Sequence, residues 1–340
     1  MAWLAPSQST GAHQARPKSR PAAGHGKAAH RQGDHKRATR HRTAVEPSAG
    51  HGMPSTARSQ YLKTTHSSVL NRMGCAEGRR LSRSRDESAI VVLAFGRPVR
   101  RGHGHWGASL FGRGFRSIGQ IQRAAQAYGR GFARCAAPSG PHLTVAIGTS
   151  NFGPGVTYRH GAAWAAMVNG ANEWVDAQDL AHRLRFAGAS DIELSWNGPR
   201  TSKRWVRGYD SVARWPYYDY GDAAGCPPRG NCLGGWTQED VWFVSWGART
   251  AWPLPEIYTG DRGQAEQWYR LSLYSYLRHG WRMTIAGALS QRTACRQSSD
   301  TCRGMNNSPA RAWGQLDGLL NRDFRTAQRL RWSSDFAWAR

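Results

Sequence analysis

From residue 89 onward two kinds of apolar pattern alternate along the chain. Short continuous apolar runs, the signature of strands buried on both faces, are separated by stretches in which apolar residues return every three or four positions. The first run, 89–95 (AIVVLAF), ends at Gly96-Arg97-Pro98, and a glycine-rich loop follows over 103–116. Ser117 with Gln120 three residues on forms a capping box for a helix, whose Ile118, Ile121, Ala125, Tyr128 and Phe132 share one face. Residues 142–148 are a second strand, and Thr157 opens a helix through Trp164, Met167 and Val168. A helical piece over 177–186 leads to a third strand at 191–196 (DIELSW). Thr201 and Ser202 cap the next helix, and 217–220 is the fourth strand.

The stretch 237–248 reads two ways. Val241-Trp242-Phe243-Val244 has strand composition, but Thr237-Gln238-Glu239-Asp240 is a capped, acidic helix start. The gap to the next run is too short for a parallel crossover, which favours helix. Strands at 254–258, 281–289 and 330–336 alternate with helices opening at Asp261 and at Ser308-Pro309. The pattern predicts an α/β protein: a (β/α) TIM-type barrel of seven or eight parallel strands. An open doubly-wound sheet fits less well, because no G-x-G-x-x-G follows the first strand.

Charge separates the chain into two parts. Residues 1–87 hold 16 Lys/Arg against 5 Asp/Glu and only one of the 16 Trp. Rich in Ser, Ala, Gly, Pro and Arg, this part lacks the apolar surface to offset its ordering entropy. Residues 1–88 are therefore expected to be a disordered basic leader ahead of a barrel at 89–340. The same composition fits translation of GC-rich sequence upstream of the native start, with Met53 and Met73 as internal alternatives. A basic arm that neutralises nucleic-acid phosphates is a competing reading. No apolar run is long enough to span a membrane.

Two pairs among the six cysteines are close in sequence. Cys226 and Cys232, and Cys295 and Cys302, flank polar loops whose spacing suits disulfides better than zinc. Such bridges place the chain in an oxidising, extracellular setting, although no export signal is visible. The partner of Cys135 is left open. The chain has no P-loop and no G-x-S-x-G elbow. His103 and His105 lack the carboxylate partners of a metal site, so no metal or cofactor is expected.

Candidate chemistry lies where a barrel places it, at the carboxyl ends of the strands. Asp191 and Glu193 share one parity on the third strand, and Glu256 interrupts an apolar run; carboxylates in such positions are costly unless paired. Trp196, Tyr218, Tyr220, Asp222 and Tyr258 surround them in sequence and are candidates for substrate binding. Two carboxyls beside aromatic rings suit glycoside hydrolysis, with Glu193 as general acid, Glu256 as nucleophile or base and Asp191 tuning Glu193. The competing reading is a structural ion pair between these carboxylates and arginines such as Arg97.

Several separated segments carry a resemblance: 91–98 (VVLAFGRP), 148–152 (GTSNF), 191–196 (DIELSW), 225–232 (GCPPRGNC), 235–240 (GWTQED) and 253–258 (PLPEIY). Together they resemble a largely uncharacterised family of secreted, mainly actinobacterial proteins described as glycoside-hydrolase-like. The resemblance covers 89–340 and implies a barrel in an extracellular setting. The Asp191/Glu193 pair is also similar to the D-x-E strand of some lysozyme-type barrels. The expected function is action on a carbohydrate or cell-wall glycan; the alternative is a non-catalytic carbohydrate-binding barrel.

Overall fold

The computed structural model describes residues 52–102, 104–298, 302 and 304–339. Eight parallel strands form one sheet: β1 (Thr56–Tyr61), β2 (Ser88–Ala94), β6 (His142–Ser150), β7 (Leu184–Asp191), β8 (Tyr217–Asp219), β9 (Ala251–Pro253), β10 (Gly287–Ser290) and β11 (Trp332–Trp338). β11 pairs with β1, so the sheet curls back on itself. The seam between β9 and β10 is bridged by backbone bonds: Ala286 N donates to Pro253 O (2.8 Å), Leu289 N to Pro255 O (2.9 Å) and Ile257 N to Leu289 O (2.8 Å). The outer layer consists of α1 (Ser67–Leu81), α2 (Ile118–Cys135), α3 (Tyr158–Ala177), α4 (Pro199–Val212), α5 (Gln238–Trp242), α6 (Gly263–His279), α7 (Arg292–Gln297) and α8 (Pro309–Leu320). The TIM-type barrel is confirmed, and 237–248 is helical, ending in a π-turn.

Strand alternation separates two cores. Ile90, Val92 and Ala94 of β2 point into the barrel with Ala187, Ala189, Tyr218, Tyr220, Leu254 and Phe336. Val91, Leu93 and Phe95 point outward against the helices. Gly188 on β7 is required by packing: an added Cβ would lie 2.6 Å from the Tyr209 ring.

Three expectations need correction. The leader does not extend to residue 88, because 56–81 supply β1 and α1; residues 1–51 lie outside the described residues. Cys75 of α1 is bonded to Cys135 of α2, 60 residues away, which finds the partner of Cys135. α1 packs so closely on α2 that a Cβ on Gly74 would lie 2.0 Å from Tyr128 O. The second correction concerns the glycine-rich loop. It is an antiparallel three-stranded sheet of β3 (Arg97–Arg101), β4 (His105–Leu110) and β5 (Gly114–Ser117). The third is a shift of strand bounds: β7 starts at Leu184, inside the expected helical piece 177–186, and ends at Asp191, while β9 ends at Pro253 before the expected strand 254–258, so Glu193, Trp196 and Glu256 stand in loops beyond their strands. The other two disulfides, Cys226–Cys232 and Cys295–Cys302, form as expected.

Candidate active site

The loop after β7 is held as though the strand continued. Asn151, one residue past β6, uses both ends of its side-chain amide on the backbone of Glu193. Its Oδ1 accepts from Glu193 N (3.1 Å) and its Nδ2 donates to Glu193 O (2.9 Å). Asp222, beyond β8, accepts from Leu194 N at 3.0 Å. Asn197 Nδ2 donates to Asn151 O (2.6 Å) and Gly153 O (3.1 Å), closing the loop. Two extended residues apart, Asp191 and Glu193 present their carboxyls to the same side.

Glu256 reaches that point from the seam. It pairs with Leu289 across the closing bridge, and Gln264 in the first turn of α6 donates to its Oε1 at 2.7 Å. Gln264 is itself fixed, accepting from Tyr258 N and Thr259 N at 2.6 and 3.0 Å. Asp191, Glu193 and Glu256 each offer an oxygen within 4.8 Å of the others. A divalent cation could bridge such oxygens, as could shared protons.

Three bare negative charges are disfavoured at this point. Burial, together with the neighbouring carboxylates, raises Asp191, Glu193 and Glu256 well above the usual carboxylate range. Burial raises Asp222 to about 6, against the opposing hydrogen bonds from Leu194, Ala224 and Glu193. Glu193 hydrogen-bonds to both Asp222 and Glu256, so protons are shared among the three carboxyls. Asp191 Oδ1 and Asp219 Oδ2 are buried with no hydrogen-bond partner among the described residues, which also disfavours their charged forms. None of the ion pairs among the described residues includes these groups. Arg97, the partner considered in the ion-pair reading, lies over the Phe152 ring instead, 5.7 Å from its centroid.

The aromatic surroundings differ from those expected. Tyr218 faces inward and packs edge-on against Trp332 at 5.7 Å, beside the start of β2, away from the carboxylates. Tyr220 is buried inside the barrel, where its hydroxyl donates to Thr149 O (2.9 Å). Tyr258 is also buried and hydrogen-bonds to Tyr61, whose hydroxyl donates to Gln291 Oε1 (3.3 Å). All three tyrosines are buried in the barrel interior, Tyr218 from β8 and Tyr220 and Tyr258 from beyond the ends of β8 and β9. Trp196 is half-buried, edge-on to Phe152 at 5.8 Å. Asp222, expected to contact substrate, joins the carboxylate cluster. The half-buried aromatic group at the mouth is Tyr61, Phe111 and Trp338. Phe111 meets Tyr61 at 5.5 Å and Trp338 at 5.2 Å, and Lys63 Nζ lies 4.6 Å from the Trp338 ring. Tyr61 and Phe111 sit in segments that read as leader and loop, so no pattern in the sequence pointed to them.

His160 is a core residue. Trp205 Nε1 donates to its Nδ1 (2.9 Å), Gly107 O lies 3.0 Å from its Nε2, and burial lowers it to about 4. His105 is exposed on β4, and His103 lies outside the described residues. No helix among the described residues is long and apolar enough to cross a membrane. No protein-family model matches the chain, and no curated protein matches it.

Proposed function

We propose that this barrel is a secreted glycoside hydrolase acting on a carbohydrate such as a cell-wall glycan. The observation that carries the proposal is the cluster of Asp191, Glu193 and Glu256 beyond the carboxyl ends of the strands, without a basic partner and biased toward shared protons. Glu193, hydrogen-bonded to both Asp222 and Glu256, is the general acid. Glu256, oriented by Gln264, is the nucleophile. Asp191 and Asp222 keep Glu193 protonated by raising the cost of a second negative charge. Carboxyl oxygens within 4.8 Å of one another fit the short spacing of a retaining pair better than the wider spacing of an inverting one. Three disulfides fit an oxidising compartment and support secretion.

The test is product stereochemistry. NMR of the first sugar released should show the anomer of the substrate; the opposite anomer overturns the nucleophile assignment. A non-catalytic carbohydrate-binding barrel is the second reading. It is favoured by the closed surroundings of the cluster, with Glu256 only 5% and Asp222 8% exposed.

A further inference from the structure

Between Glu87 and Glu173 the sequence contains no Asp or Glu and nine Arg. This stretch builds β2, the sheet of β3–β5, α2, β6 and most of α3. None of the nine forms an ion pair among the described residues. Eight of them, including Arg100, Arg101 and Arg123, are exposed. Exposed guanidinium groups with no acidic neighbour in sequence attract anions and present forked donors suited to carboxylates.

A groove of about 730 Å³ opens in this region, between the β3–β5 sheet and helices α2 and α3. Arg101, His105, Trp106, Phe115, Gln122 and Met167 line it. Arg100 lies 5.8 Å from the Trp106 ring centroid and Arg101 5.0 Å from that of Phe115. Arg123 is one helical turn beyond Gly119, which also lines the groove. Rings and guanidinium groups together match an acidic sugar polymer, the rings meeting its apolar faces and the arginines its carboxylates.

The groove is also linked to the carboxylate cluster. The turn joining β4 to β5 carries Phe111 onto Tyr61 and Trp338 at the barrel mouth, while the opposite end of β4 borders the groove at His105. The six residues of β4 span roughly 17 Å, a distance a short run of sugars covers. We infer that the arginine-aromatic groove is a remote binding site for an acidic polysaccharide bearing carboxylates, which it delivers toward the barrel mouth. This inference rests on the glycan reading of the mouth and narrows its substrate class. A nucleic acid is the competing polyanion, but nothing on this face accounts for its link to a carboxylate-lined mouth.

The test uses the full-length chain carrying Glu193→Gln, so that binding is read without turnover. Affinities for polygalacturonate, neutral dextran and single-stranded DNA of matched charge are compared with and without Arg101→Gln/Arg123→Gln, and separately with Trp106→Ala. The expected result is a roughly tenfold loss of polygalacturonate affinity in each variant, stronger at low salt for the arginine pair, with dextran binding unchanged. Unchanged polygalacturonate affinity overturns the inference, as does tighter binding of DNA than of polygalacturonate. Sugar release from short neutral glycans by the otherwise native protein and its Arg101→Gln/Arg123→Gln variant is read separately. Its absence in both defeats the hydrolase reading without touching the groove, and its presence in both alongside unchanged polygalacturonate affinity defeats the groove alone.

Discussion

The amide of Asn151 holds the backbone of Glu193 at both its N–H and its C=O, with contacts of 3.1 and 2.9 Å. It acts as a one-residue continuation of β6, extending the sheet's register past Asp191 to the residue assigned as the acid. Replacing Asn151 with Leu removes both bonds and should cost about 2 kcal/mol of stability. Glycan hydrolysis should fall by roughly a hundredfold, because the acid is displaced while remaining in the protein. Thermal unfolding and turnover measured together check this: a rate loss no larger than the loss of folded protein would show that the clamp serves stability alone.

Asp222 offers a pH test. Burial raises it from 3.8 to about 6, so between those values the native state keeps a proton that the unfolded chain has released. This contribution is fully present below the unfolded pKa and is lost as pH rises through the folded one. His160 acts in the opposite sense: lowered from 6.5 to about 4, it favours the native state above that range and loses this contribution as pH falls. The two nearly offset each other in the native protein. Asp222→Asn removes the first and also relieves Asp191, Glu193 and Glu256, whose carboxyls its charge holds up, so its stability relative to the native protein should grow from about pH 4 to pH 7. Denaturant titrations at several pH values check it; a constant difference contradicts the assigned protonation.

Gln264 makes a kinetic prediction. Its Nε2 orients Glu256 at 2.7 Å while its Oε1 is held by two backbone amides. Gln264→Leu should lower kcat by roughly tenfold to a hundredfold with little change in KM, since the residue reaches substrate only through Glu256. Gln264→Glu, which keeps the acceptor but brings a carboxyl to Glu256, should shift the pH profile as well. A change confined to KM contradicts the positioning role.

The ends of the domain can be tested by truncation. A chain beginning at Met53 retains β1, α1 and the Cys75–Cys135 bond; one beginning at Ala89 loses all three. The first should fold, and the second should not give a cooperative unfolding transition. Replacing both Cys75 and Cys135 with Ala should cost about 4 kcal/mol, the chain-entropy estimate for a loop of this length. Equal unfolding midpoints for the oxidised native protein and the double variant would contradict it.

These tests also show where sequence reading succeeds and fails. β2, β6, the Ser117 capping box and the helix at 237–248 were legible because their signals are local: apolar runs and caps. β1 was not, because its inward residue Ser59 is polar. Its hydroxyl pairs with Ser334 (2.7 Å) and accepts from Val92 N (2.8 Å), satisfaction that only the closed barrel supplies. α1 was hidden because its buried face, between Leu70 and Leu81, consists of Gly74, Cys75, Glu77 and Gly78, with the glycines allowing close approach to α2. The small residues Ala187-Gly188-Ala189 likewise concealed β7, while Ile192 and Leu194 in the following loop imitated strand alternation. Glu193 and Glu256 stood out as charges among apolar neighbours. Asn151 and Gln264 carried no such signal, since an amide that clamps a backbone looks like any other until its partner is placed.

The most direct measurement is sugar release from peptidoglycan and a panel of polysaccharides by the oxidised full-length protein, alongside Glu193→Gln and Glu256→Gln. The account predicts release by the native protein and a loss of roughly a thousandfold in each variant, with both remaining folded. Release that survives in both variants, or silence from the folded native protein across the whole panel, would contradict it.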